Sequence, residues 1–295
     1  MLLLAALVWG VAFVAQSEGL NYVGAFTFNT CRFLLGGAVL IPCIYFLHGR
    51  KDSAWQTLSE KEKKEQTRMG MIGGICCGCI LCLASCLQQF GIAQTTVGKA
   101  GFITTLYIII VPFMGLFLKR KIGINIWISA VIAAVGMYFL CITESFSIGA
   151  GDRLVLMCSV VFSVHILVID HFSPKADGVV ISCVQFFTAG VIASVLMLLF
   201  EHPSVSAVIA AAAPILYAGV MSCGAGYTLQ VVAQNGVDPT VASLLLSLES
   251  VFSVLAGWML LGQKLSGREL FGCVLVFAAV LLVQIPTEKL FHTAQ

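Results

Sequence analysis

Hydrophobic residues along the chain gather into long unbroken runs, and polar residues gather between them. Crossing about 30 Å of hydrocarbon at 1.5 Å per residue takes roughly 20 apolar residues in a helix. Ten stretches approach that length, near 1–17, 26–47, 70–89, 97–118, 122–142, 152–170, 179–200, 210–233, 239–261 and 268–286. Turn signals occupy the gaps, as at Ser173-Pro174-Lys175, His202-Pro203-Ser204 and Asp238-Pro239. The runs are continuous rather than alternating, which excludes a β-barrel. Backbone groups in lipid must be satisfied within the segment, so each run predicts a helix. The fold class expected is an all-α membrane protein of ten transmembrane helices.

Composition agrees with the pattern. Of 295 residues, 59% are hydrophobic and only 10% charged, against about 25% charged in soluble domains. The net charge of +2 comes from basic residues scattered through short connections, not from the clustered basic face that nucleic acid requires. The partners expected are a lipid bilayer and a small-molecule substrate, with no nucleic acid; oligomeric state is left open. The first run, from Met1 to Ala15, has no basic region before it and reads as a membrane helix rather than a secretion signal. Among the twelve cysteines, Cys76, Cys77, Cys79, Cys82, Cys158 and Cys183 lie inside apolar runs, where thiols act as small packing residues. Gly70, Gly74, Gly78, Cys82 and Cys86 recur every four residues, a spacing that permits close helix approach. A soft-metal site would need deprotonated thiols in matched geometry; no metal or cofactor is expected.

Charge asymmetry sets an orientation. Arg50, Lys51, Lys61, Lys63, Lys64 and Arg68 share one connection, and Lys119, Arg120 and Lys121 share another. Placing both termini in the cytoplasm puts these, with Lys175, inside. Lys99, Arg153, Lys264 and Arg268 fall outside, the last two against the rule. Ser59 to Glu65 predicts a short solvated helix within the connection from His48 to Arg68.

The chain carries an internal repeat. A shift of 153 lays Leu3, Val8, Val11, Phe33 and Gly37 on Leu156, Val161, Val164, Phe186 and Gly190. A shift of 143 lays the fourth and fifth runs on the ninth and tenth, with Lys121-Ile122 on Lys264-Leu265. A five-helix unit repeated in tandem must insert in opposite orientations, the arrangement of many secondary transporters. The expected units are residues 1–145 and 146–295.

Three stretches carry a resemblance to a known family. Trp9-Gly10 leads to Phe13 in the first run. Gly98-Lys99-Ala100-Gly101-Phe102-Ile103-Thr104-Thr105-Leu106-Tyr107 precedes Val111-Pro112. Leu248-Glu249-Ser250-Val251-Phe252 precedes Leu261-Gly262-Gln263-Lys264-Leu265-Ser266. Together they resemble the EamA-like members of the drug/metabolite transporter superfamily, over nearly the whole chain. Ser250 replaces a usual proline, which bears on a kink, and Gln263 replaces a usual glutamate. The resemblance implies two EamA-like repeats and carriage of amino acids, their derivatives, sugars or other small molecules. Export across a plasma membrane, that of the bacterial inner membrane, follows by analogy alone.

Ionisable residues within spans are costly and should face a cavity or a partner. Arg32, Glu249 and His165 are the ones well inside. Arg32 and Glu249 either pair with each other or hold the two charges of a zwitterion. Glu249 and His165 are candidates for coupling to a proton gradient. Trp9, Phe13, Gln88, Tyr107, Gln185, Tyr227 and Gln230 complete the candidate substrate site, with Ser222, Gly226, Gln230 and Gln234 on one helical face. Lys99 either meets an anionic group or snorkels. Pro42 and Pro112 should kink their helices. Competing readings are a multidrug or other carrier of the same fold, an intramembrane enzyme, a channel or a scaffold. The motifs G-x-x-x-x-G-K-[ST], H-E-x-x-H and G-x-S-x-G do not occur, so neither ATP drive nor catalysis is expected.

Overall fold

The computed structural model describes residues 1–50, 54–95, 97–120, 122–141, 148–261 and 266–283. All regular structure among them is helical. Eight helices or helix pairs are long and apolar enough to cross a membrane, with Ile124–Phe139 as a shorter apolar helix. Lys51, Lys121, Gln263 and Lys264, and the expected boundary between the two units, fall outside the described residues.

Helix α1 is Leu2–Gly19 and α2 is Ala25–Gly49. Pro42 lies inside α2 without ending it. After the short α3, Ala54–Thr57, the chain forms α4, Glu60–Ile92. The separate solvated helix expected at Ser59 to Glu65 is instead the first two turns of this 33-residue helix. Ser59 and Glu62 form a reciprocal capping box, Lys63 pairs with Glu60, and nothing before Gly70 breaks the backbone.

The expected fourth run is two helices, α5 Val97–Thr104 and α6 Tyr107–Phe117. The break sits upstream of Pro112, whose ring opposes the carbonyl of Ile108. There the Thr105 hydroxyl donates to the carbonyls of Gly101 and Phe102 and competes with the helical ladder. Helices α7, Ile124–Cys141, α8, Ala150–Phe172, and α9, Gly178–Phe200, are continuous. Two short helices follow, α10 Val205–Ala210 and α11 Ala212–Leu216. A π-helical stretch over Tyr217–Tyr227 then leads into α12, Thr228–Gln234. The ninth run is also divided, into α13, Pro239–Leu246, and α14, Leu248–Leu261. The helix breaks here although Ser250 stands where a proline is usual in the resembled family. Ser243, Ser247 and Ser250 each donate to a carbonyl three residues back, which loosens the ladder without a proline. Helix α15, Gly267–Val283, closes the described chain.

Small residues bring the helices together. A Cβ added to Gly74 would stand 2.4 Å from Val184, and one on Gly78 would stand 2.6 Å from the Gln185 carbonyl oxygen, so α4 lies directly on α9. Backbone cannot yield as a side chain can. Gly78→Ala is expected to cost about 1–3 kcal/mol through overpacking, read as a lower melting temperature of the purified protein in detergent. An unchanged melting temperature would mean the two helices are farther apart.

Candidate functional site

The two broken helices aim their ends at each other. Tyr107 opens α6, and Glu249 stands in the first turn of α14, where backbone N–H groups favour a carboxylate. The Tyr107 hydroxyl donates to Glu249 Oε1 at 3.0 Å. Around this pair lies a chamber lined by side chains of α1, α2, α4, α5, α6, α8, the π-helical stretch, α12, α13 and α14.

Of the residues expected from sequence, the structure brings Trp9, Phe13, Arg32, Gln88, Tyr107, Tyr227, Gln230, Glu249 and His165 to the chamber wall. Gln185 stands outside it. Its Oε1 lies 3.1 Å from His165 Nε2, so it holds the histidine from behind. Gln16, Thr104 and Phe162 also line the chamber and were not singled out. Gln16 sits at a helix end, where a polar residue draws no notice, and Thr104 looks like any threonine of an apolar run.

Arg32 and Glu249 do not form the ion pair that was one alternative. Arg32 Nη1 donates to Gln16 Oε1 at 2.8 Å, and its guanidinium carbon lies 4.8 Å from the centre of the Phe33 ring, a cation–π distance. Arg32 Nε has no hydrogen-bond partner. Both charged residues are almost fully buried, at 3% and 4% exposure. Each charge thus faces the same space and is held by neutral neighbours.

One wall is aromatic. Trp9 and Tyr227 stand with ring centroids 4.5 Å apart, and Trp9 Nε1 donates to the Ser222 carbonyl at 3.3 Å. That carbonyl belongs to the π-helical stretch, whose wider turn departs from the usual i→i+4 ladder. Gly226 allows the contact, since a Cβ there would lie 2.6 Å from Trp9 Nε1. Gln88 lines the chamber too, and Gln89 stands outside it. Gln88 Nε2 donates to Thr104 Oγ1 at 3.3 Å, and Gln89 Nε2 donates to the Gln16 carbonyl at 3.2 Å.

In this conformation the free volume of the chamber is about 40 Å³. At about 10–15 Å³ per water, that admits a few waters and no larger metabolite. Polar contacts join α2 to α9 at both of their ends. At one end the Glu201 carboxylate accepts from the backbone N–H groups of Phe26 and Thr27 at 3.0 and 2.8 Å, and from the Thr27 hydroxyl. At the other, His48 Nε2 lies 2.9 Å from Asp177 Oδ2, while Asp177 Oδ1 caps α9 through Val179 and Val180. Helices α2 and α9 therefore run antiparallel and are fastened at both ends. Arg120 pairs with Asp170 on the His48 side. Lys99 lies 3.8 Å from Asp152, which also accepts from Thr95. Among the described residues no group of three or more His, Cys, Asp or Glu side chains could hold a metal ion.

Comparisons with known proteins agree with this architecture. The profile of the EamA-like transporter family matches residues 1–142 and again 149–285. An uncharacterized transporter of Archaeoglobus fulgidus is 28% identical over 285 residues, covering 96% of this chain and 84% of its own. A crystal structure superposes with a TM-score of 0.75 at 18% identity, over 98% of this chain and 96% of the other. That likeness speaks to the fold.

Proposed function

Because the chain belongs to the EamA-like transporter family, we propose that this multi-pass membrane protein is a secondary transporter exporting a small metabolite, an amino acid or related compound, by alternating access. One observation carries the substrate class. A buried cation, Arg32, and a buried anion, Glu249, line one chamber and each binds a neutral partner rather than the other. A zwitterion is the ligand that answers both charges at once. Unpaired, each buried charge carries a large desolvation penalty.

Several observations support two inverted five-helix repeats. The family profile matches twice in tandem. The α5–α6 and α13–α14 breaks lie at positions related by the repeat. Helix packing is mirrored as well. Helix α4 packs on α8 and α9, as the π-helical stretch packs on α1 and α2; α1 packs on α14, as α8 packs on α5 and α6. Helices α2 with α9, and α7 with α15, pair across the two halves. Discontinuous helices at the interface of inverted repeats are where secondary transporters bind their substrates.

The small free space of the chamber and the contacts that join α2 to α9 at both of their ends support an occluded state. Breaking the Glu201 contacts would open one side, and breaking His48–Asp177 and Arg120–Asp170 the other. The basic connections support a proposed orientation with the His48 side and both termini facing the cytoplasm, in a plasma membrane, that of the bacterial inner membrane. Glu249, held by a single neutral hydroxyl, is the proposed proton carrier, with His165 as its alternate. Purified protein in proteoliposomes tests the proposal: uptake of a labelled amino acid should saturate and accelerate when unlabelled amino acid fills the lumen. Flux that rises linearly without that acceleration would refute a carrier.

A further inference from the structure

Gln230 lines the chamber at 2% exposure, and its Oε1 has no hydrogen-bond partner. A buried amide oxygen left unbonded costs free energy, so it calls for an explanation. Its amide nitrogen is already engaged. Gln230 Nε2 donates to Gln234 Oε1 at 2.9 Å, and Gln234 Nε2 donates to the backbone carbonyl of Ile166 at 3.1 Å.

This relay has a fixed direction. A backbone carbonyl can only accept, so Gln234 must turn its NH₂ toward Ile166 and its oxygen toward Gln230. Gln230 must then spend its own NH₂ on Gln234. What stands without a partner is the amide oxygen, an acceptor, whose position the relay fixes; the second N–H of Nε2 is the remaining donor. Neither amide can flip without placing two donors or two acceptors face to face. The Glu249 carboxylate lines the same chamber and adds a second acceptor.

We infer that Gln234, which is not a chamber residue, is a positioning residue that locks Gln230 as a hydrogen-bond acceptor, so that the chamber selects substrates bearing an ammonium group over otherwise identical hydroxyl compounds. The inference rests on the carrier reading and goes beyond it. An ammonium offers three donors and a positive charge to these oxygens. A hydroxyl offers one donor and no charge, and leaves a buried acceptor unsatisfied.

The test is counterflow in proteoliposomes with the full chain and matched probes: alanine against lactate, and phenylalanine against phenyllactate. Wild-type protein should prefer the amino member of each pair. Gln230→Leu and Gln234→Leu should each lower that preference about tenfold or more. Gln234→Glu, whose carboxyl can accept from Gln230 and, when protonated, donate to Ile166, should restore most of it. Melting temperature and gel filtration identify variants that fail to fold, in which case the Gln234→Glu comparison with wild type carries the result. Equal losses for both members of a pair, with the ratio unchanged, would overturn the inference and leave the carrier intact. Wild-type flux of hydroxy acids at the amino-acid rate would overturn it equally. No flux of any probe would count against both the inference and the carrier.

Discussion

Glu249→Gln and Arg32→Gln are each expected to slow amino-acid counterflow roughly 10- to 150-fold, the range set by about 1.5–3 kcal/mol for a hydrogen bond to a charged group. Glutamine at 249 still offers Tyr107 an acceptor, so the bond between the broken helices survives while the charge is lost. Glutamine at 32 is shorter and neutral, and frees Gln16. The double variant discriminates between explanations. If the two charges served each other, removing both would be no worse than removing one. In the structure they have separate partners, so their effects should add in free energy, as for independent groups. Both variants should keep gel-filtration behaviour and melting temperature close to wild type. Unchanged flux in both would remove the pair from the mechanism.

The second large effect concerns space rather than charge. Gly226→Val should abolish counterflow to the background of empty vesicles. A Cβ at 226 would lie 2.6 Å from Trp9 Nε1, forcing the indole off the Ser222 carbonyl and toward the chamber. A displaced indole would stand in the space that substrate must occupy when the chamber widens to admit it. A second change separates this mechanism from misfolding. Trp9→Leu, combined with Gly226→Val, removes the side chain that is displaced and should recover measurable flux. No recovery in a folded double variant would mean that Gly226 acts through the π-helical stretch itself.

Much of the fold was legible because hydrophobic run length is a strong signal in a membrane. The runs at 26–47, 152–170 and 179–200 became α2, α8 and α9 with ends extended by a few residues. The divided helices were not legible. Proline at 112 suggested a kink, but the break forms where Thr105 turns its hydroxyl back on the ladder, and at 247 it forms through serines. Hydroxyl back-bonding depends on which carbonyls are already loosened, and an apolar run does not reveal that. The π-helical stretch was equally hidden, since Tyr217 to Tyr227 reads as an ordinary small-residue helix. Burial cost made Arg32, Glu249 and His165 visible, since a charge in an apolar run must have a reason. Their partners were harder to see. Gln16 lies sixteen positions from Arg32 in sequence, and no periodicity links them. Gln185 stands out in its run by polarity alone, and the fold gives it His165 instead of the chamber. Spacing puts Gln234 on one face with Gln230, but its hold on the Ile166 carbonyl depends on how α12 lies against α8.

The account depends on a chamber that opens to each side of the membrane in turn. Ser222→Cys places a thiol on the chamber wall, and a membrane-impermeant maleimide can be offered from either face of oriented vesicles, with labelling counted above that of the native cysteines. Labelling from both faces, in a ratio that shifts when transportable amino acid is added, is the predicted result. A thiol reached from one face alone under every condition would contradict it.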